Sequence, residues 1–176
     1  MDVLAHGLYG VTVCSRLGLA GGRAGTRGVR WWREPTVWWA LFFGLLPDMV
    51  SMWIPYILHA ISGVEDNFFR YFDGGWLTVY RVFHSLVIAL AFSALLYFWR
   101  RRLFIASLAW PLHILCDAIS HVDGKFQTLI FYPLSHWGFH GIAWWRARWF
   151  VWSYWAVLVL IWIGLYAWRR SGKRLS

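Results

Sequence analysis

Three residues of the kind that bind metals or move protons recur at intervals of four near the end of an apolar run. They are His113, Asp117 and His121, within Pro-Leu-His-Ile-Leu-Cys-Asp-Ala-Ile-Ser-His-Val-Asp-Gly at 111–124. Residues four apart stack on one face of an α-helix, so the spacing predicts two imidazoles and a carboxylate on a single stripe. An ionisable side chain inside a membrane span costs at least ~2.5–3.5 kcal/mol on insertion scales. Three on one stripe require a partner. A divalent cation is the simplest, and a metal-free hydrogen-bonded cluster is the alternative. Three further candidates lie in other apolar runs. Asp48 ends Gly-Leu-Leu-Pro-Asp and has no basic residue in its own run; its alternative role is to bond backbone freed by Pro47. His84 precedes Ser85, and His6 opens the first run, where an interfacial, solvated position is its alternative. Imidazole and carboxylate without thiolate suit zinc, with manganese or iron as alternatives. A catalytic zinc takes about three protein ligands and keeps a position for water. The set His6, Asp48, His84, His113, Asp117 and His121 exceeds one such site, so either two metals bind or some members orient the ligands. Asp117 and Asp48 are also the candidate general bases.

The elements that must position these residues are membrane helices. Of the 176 residues 60% are hydrophobic, above the roughly 45–50% of a soluble domain. The expected fold is all-α: one polytopic transmembrane helical bundle over 1–176 with about five spans, near 3–20, 36–62, 76–99, 103–120 and 151–168. A long aromatic loop at 121–150 joins the last two. The first span is short and rich in glycine, so a re-entrant helix is its alternative. The net charge of +9 is gathered in clusters: Arg23, Arg27, Arg30 and Arg33; Arg100, Arg101 and Arg102; Arg169, Arg170, Lys173 and Arg174. Five spans put all three clusters on one face, which the positive-inside rule makes cytoplasmic. The expected location is the inner membrane, multi-pass, with the N-terminus outside and the loop at 121–150 on the outer side. At ~1.5 Å rise per residue, His84 and His113 both fall roughly 12 Å below the outer interface and Asp48 deepest, so the polar residues converge in the outer half.

Several classes are disfavoured. Nucleic-acid binding wants a continuous basic footprint, not clusters between apolar runs. Cys14 and Cys116 both sit in apolar runs and read as small buried hydrophobes. Asp2 at the start, and a first run ending in Gly and Arg, fit no cleavable signal peptide. The many Trp residues read as an aromatic belt and core. His59, His136 and His140 read as interfacial or loop residues, and no Gly-x-Ser-x-Gly elbow is present.

The order of motifs resembles a known family. Met-Asp-x-x-x-His with a following Gly comes first, then Gly-x-Leu-Pro-Asp. A His-Ser pair in an apolar run follows, then Leu-His-x-x-x-Asp with a trailing His. Tyr-Pro-Leu-Ser at 132–135 precedes Gly-Ile-Ala-Trp at 141–144. This set resembles the bacterial membrane-bound metal-dependent hydrolases of the YdjM type, themselves similar in motif order to zinc-dependent phospholipase C. It covers about three quarters of the chain and stops before the final span. The resemblance implies a metal site of His6, Asp48, His84, His113 and Asp117, with His121 close by. Val50 stands where many relatives carry a second Asp, and Val79-Tyr80-Arg81 where many carry His-Arg-Gly. The metal count is thereby left open.

The expected function is a membrane-embedded hydrolase of an ester or phosphoester, possibly in a lipid, working through metal-activated water. Arg81 and Lys125 are candidates to hold a phosphate head group. A metal-binding transporter and a non-catalytic structural membrane protein are the alternatives. The oligomeric state is not legible.

Overall fold

The computed structural model describes residues 1–24, 30–63 and 67–171. Arg27, Lys173 and Arg174 of the basic clusters lie outside these residues, as does the acidic Glu65. All regular structure among the described residues is helical. In chain order the α-helices are α1 (Val3–Cys14), α2 (Pro35–Asp48), α3 (Ile54–Ile61), α4 (Phe68–Tyr71), α5 (Gly75–Phe83), α6 (Leu86–Trp99), α7 (Arg101–Ser107), α8 (Ala109–Ser120) and α9 (Arg148–Ser171).

Three helical stretches are long and apolar enough to cross a membrane: Pro35–Ile61, Arg101–Ser120 and Arg148–Ser171. A fourth arises if Gly75–Phe83 and Leu86–Trp99, bent by 57°, count as one span. Two of the five expected spans therefore change character. The run at 3–20 is α-helical only over Val3–Cys14, about 18 Å against a hydrocarbon core of ~30 Å. It stops because Ser15 turns its hydroxyl onto the Val11 carbonyl at 2.6 Å and leaves the helix in an extended conformation. The run at 76–99 breaks at His84-Ser85, where Ser85 caps the new helix by accepting from the Ile88 N–H. Pro47, in contrast, does not break its helix. The backbone passes into a single π-turn over Met49–Trp53, and the Ser51 hydroxyl donates to the Pro47 carbonyl at 2.7 Å.

Small residues bring the helices close. Where α2, α6, α7 and α8 meet, Ala40, Ala89, Ala106, Ala109 and Ala118 are buried around Phe43, Trp110 and Ile114. With lipid outside, no hydrophobic force drives helices together, so close van der Waals contact must do it. The α1–α2 crossing is tightest. A Cβ on Gly10 would lie 2.8 Å from the Ala40 carbonyl oxygen, and one on Gly44 3.0 Å from the His6 carbonyl oxygen.

Helix α9 is fastened to α1 through polar contacts along its length. Tyr154 donates to Asp2 Oδ2 at 2.6 Å, and Asp2 Oδ1 caps α1 by accepting from the Ala5 N–H at 2.9 Å. Tyr9 donates to the Tyr154 carbonyl at 2.6 Å and Trp162 to Thr12 Oγ1 at 2.9 Å. At the far end Arg169 donates to the carbonyls of Leu17, Gly18 and Gly22. Hydrogen bonds to charged groups contribute roughly 1.5–3 kcal/mol. Tyr154→Phe is thus expected to lower the thermal midpoint in detergent while leaving metal content intact. An unchanged midpoint would show that apolar contact alone holds α9.

Candidate metal centre

Three chain segments deliver four polar side chains to one buried point. Asp48 comes from the end of α2, His84 from the break between α5 and α6, and His113 and Asp117 from successive turns of α8. One ligand atom from each of the four lies within 4.8 Å of all the others. Their opposite ends carry the basic residues: α2 begins just past Arg33, α6 ends at Trp99 just before Arg100, and α7 begins at Arg101. Asp48 is about 20 Å along α2 from Pro35 at ~1.5 Å per residue. The group therefore sits well away from the basic end of the bundle.

Hydrogen bonding fixes the direction of both imidazoles. His84 Nδ1 lies 3.0 Å from the Tyr80 carbonyl and His113 Nδ1 2.7 Å from the Gly44 carbonyl. A carbonyl only accepts, so each Nδ1 carries the proton, and a neutral ring then turns a bare Nε2 lone pair inward. The two Nε2 atoms face Asp117 Oδ2 at 3.3 and 3.2 Å, and Asp48 Oδ1 at 3.6 and 3.7 Å. Neither Nε2, nor Asp117 Oδ2, has a hydrogen-bond partner among the described residues. Lone pairs converging in a buried space repel unless a positive charge sits among them. This donor set, two imidazole nitrogens and two carboxylate oxygens, could hold a metal ion. The carbonyl-bound Nδ1 atoms are the outer contacts that metal-ligating histidines normally have.

Asp117 has two unlike faces. Its Oδ2 points into the group of four. Its Oδ1 accepts from the Met1 ammonium at 3.1 Å and from Ser120 Oγ at 3.4 Å, and Met1 also reaches Ser120 Oγ. His6 Nε2 stands 2.8 Å from the same oxygen, with its ring stacked on His113 at 3.7 Å between centroids. His121 Nδ1 lies 3.5 Å from it. His6 and His121 thus gather on the outer oxygen of Asp117, apart from the group of four. The expected stripe is also shorter than its spacing implied. The α8 helix ends at Ser120, and His121 follows in an extended conformation, tethered by its N–H to the Asp117 carbonyl at 2.9 Å. Burial pushes the His121 imidazole below its ordinary pKa, against the opposite pull of Asp117.

The segment 121–147 closes over the site by satisfying helix ends. The Leu86 N–H, orphaned at the start of α6, donates to the Ile130 carbonyl at 2.9 Å, and Ser85 donates to the Tyr132 carbonyl. At the end of α8 the Ile119 and His121 carbonyls accept from Ile142 and Gly141, each at 2.8 Å. The Tyr-Pro-Leu-Ser and Gly-Ile-Ala-Trp motifs are therefore the covers of the two helix termini that carry His84 and Asp117. Tyr80 was not among the sequence candidates. It stacks on His84 at 4.1 Å and donates to the Phe126 carbonyl at 2.8 Å, tying ring, helix and loop together. The interval of four between Tyr80 and His84 was its only signal.

The remaining candidates have other partners. Lys125 pairs with Asp73 at 2.8 Å and donates to the Phe69 carbonyl. His140 pairs with Asp123 at 2.6 Å on the exposed loop. His136 and His59 lie edge-on to Tyr132 and Phe68. Of the four central residues, His84, His113 and Asp117 are each 1% exposed and Asp48 9%, so the approach to the group is on the side of Asp48.

Fold and site together define a helical membrane protein with a buried two-histidine, two-aspartate group able to hold a metal ion. No protein-family model, curated protein or solved structure matches the chain.

Proposed function

We propose that this chain is a membrane-embedded, metal-dependent hydrolase of an ester or phosphoester, lipids included. The observation that supports it is the convergence of two bare, carbonyl-oriented Nε2 atoms and two carboxylates in a water-poor site. His84, His113, Asp48 and Asp117 would hold the cation, and His6 and His121 would steady Asp117 through its outer oxygen. A divalent cation held there would supply Lewis acidity, the chemistry that makes water nucleophilic near neutral pH and offsets negative charge on a substrate oxygen. Asp48, the least enclosed of the four, meets the incoming substrate and takes the proton released by water. Ser85 is not the nucleophile in this reading, because its hydroxyl is spent on the Tyr132 carbonyl. The motif order shared with the YdjM-type hydrolases points the same way. In this reading the protein lies in the inner membrane, with basic ends cytoplasmic and the site in the outer half.

The test is elemental analysis of the detergent-purified protein beside turnover of a chromogenic phosphodiester and of phospholipid vesicles. The wild type should carry about one divalent ion per chain and hydrolyse at least one of the two substrates. His113→Ala should lose both metal and turnover. Bound metal with no hydrolysis of either, but with metal uptake into vesicles, would replace this reading with transport. No metal in the wild type would leave only a structural membrane protein.

A further inference from the structure

We infer that the outer face of α9 is a binding site for an anionic phospholipid of the leaflet at the basic end of the bundle. This inference is independent of the metal group. A groove of about 460 Å³ runs between α1 and α9, lined by Leu8, Trp155, Leu158, Val159, Trp162, Ile163 and Tyr166. Its walls are almost entirely apolar: of its two indoles, Trp162 donates its Nε1 proton to Thr12, and the Tyr166 hydroxyl accepts from Arg170 at the basic end. Such walls suit hydrocarbon.

Length and charge specify which hydrocarbon. The part of the groove from Val159 to Tyr166 lies within about 16 Å of Arg170 at ~1.5 Å per residue, close to half of a ~30 Å hydrocarbon core. That is the depth of one leaflet, the reach of one acyl chain. At the Tyr166 end stand cations. Arg170 Nη1 donates to Tyr166 Oη at 3.1 Å, and the guanidinium lies over the Tyr166 ring at 5.8 Å from its centroid. Arg23 lies over the Trp168 ring at 5.4 Å. Arg169 is committed to backbone carbonyls, but Arg170 is exposed and keeps N–H donors in the forked geometry that matches a phosphate. No acidic residue ion-pairs with Arg170 or Arg23 among the described contacts. An apolar slot ending in cations held by tyrosine and tryptophan matches a lipid with an acyl chain and a negatively charged head group.

The test uses native mass spectrometry of the full-length protein in detergent, supplied with equal amounts of phosphatidylglycerol and phosphatidylcholine of matched acyl chains. Each cation near a membrane surface attracts an anionic lipid by about fivefold. The wild type should retain the anionic lipid at least fivefold over the zwitterionic one. Arg170→Gln should reduce that preference about fivefold without changing metal content or thermal midpoint. Val159→Trp, placed in the groove wall at a lipid-facing position, should reduce retention of both lipids. Equal retention of the two lipids by the wild type would overturn the inference, as would an unchanged preference in Arg170→Gln. A dimer that Val159→Trp converts to monomer would also overturn it, in favour of a second copy of the chain.

Discussion

Asp117→Asn is expected to strip the protein of bound metal and to lower its stability by about 3–5 kcal/mol, the usual result of removing one partner from a buried charged group. No other side chain has as many dependants. Its two oxygens face His6 at 2.8 Å, the Met1 ammonium at 3.1 Å, His113 at 3.2 Å, His84 at 3.3 Å and His121 at 3.5 Å. Asparagine preserves the shape and deletes the charge, so volume cannot explain the loss. Elemental analysis and thermal unfolding in detergent read the two effects separately. The same exchange at Asp123 is the control. Its contact with His140 is shorter, 2.6 Å, but both side chains are more than half exposed, and such pairs are worth only ~0.2–1 kcal/mol. Retained metal in Asp117→Asn would remove the residue from the ligand set.

Gly10→Leu should separate α1 from α2, destabilise the bundle by about 1–3 kcal/mol and empty the metal group together with the packing. A Cβ there would sit 2.8 Å from the Ala40 carbonyl oxygen and 3.0 Å from the Ala109 Cβ. The first obstacle is helix backbone, which cannot swing aside as a long side chain would. The helices must part, taking His6 off His113 and moving the Gly44 carbonyl that orients the His113 ring. Gly164→Leu on α9 is the matched control, because nothing lies within 4 Å of its Cβ position. Equal metal content and equal midpoints in the two variants would show that the α1–α2 crossing does not position the site.

How much of this was legible depends on which physics set each feature. The pairing of His113 with Asp117 followed from helical periodicity and is seen on α8. The isolation of Asp48 among apolar residues marked it as needing partners, and it faces His84 and His113. Span lengths were less legible, because hydropathy does not register where backbone is capped. Ser15 and Ser85 each end or begin a helix inside an apolar run by bonding main-chain groups. His121 kept the spacing of a fourth-residue neighbour, yet the helix had stopped one residue earlier. The division of Asp117 into an inner and an outer oxygen depended on tertiary contacts with Met1 and His6, which no local pattern encodes. The role of Tyr80 was hidden for the same reason. It acts through its carbonyl, its ring face and a hydroxyl bonded to the distant Phe126 carbonyl.

The four converging residues are spread from position 48 to position 117, and synthesis is directional. Asp48 must enter the bilayer before His84, His113 or Asp117 exists to receive it. Insertion of that segment alone carries a penalty of ~2.5–3.5 kcal/mol for the carboxylate. The surrounding Val37, Leu41, Phe42, Phe43, Leu45, Leu46, Val50 and Ile54 together offset roughly 2.5–5 kcal/mol on the same scale. The greasiness of this helix thus serves biogenesis, carrying an unmatched acid across the translocon until the rest of the chain catches up. The four-residue group is complete only at the end of assembly, after the helix bearing Asp117 has been delivered.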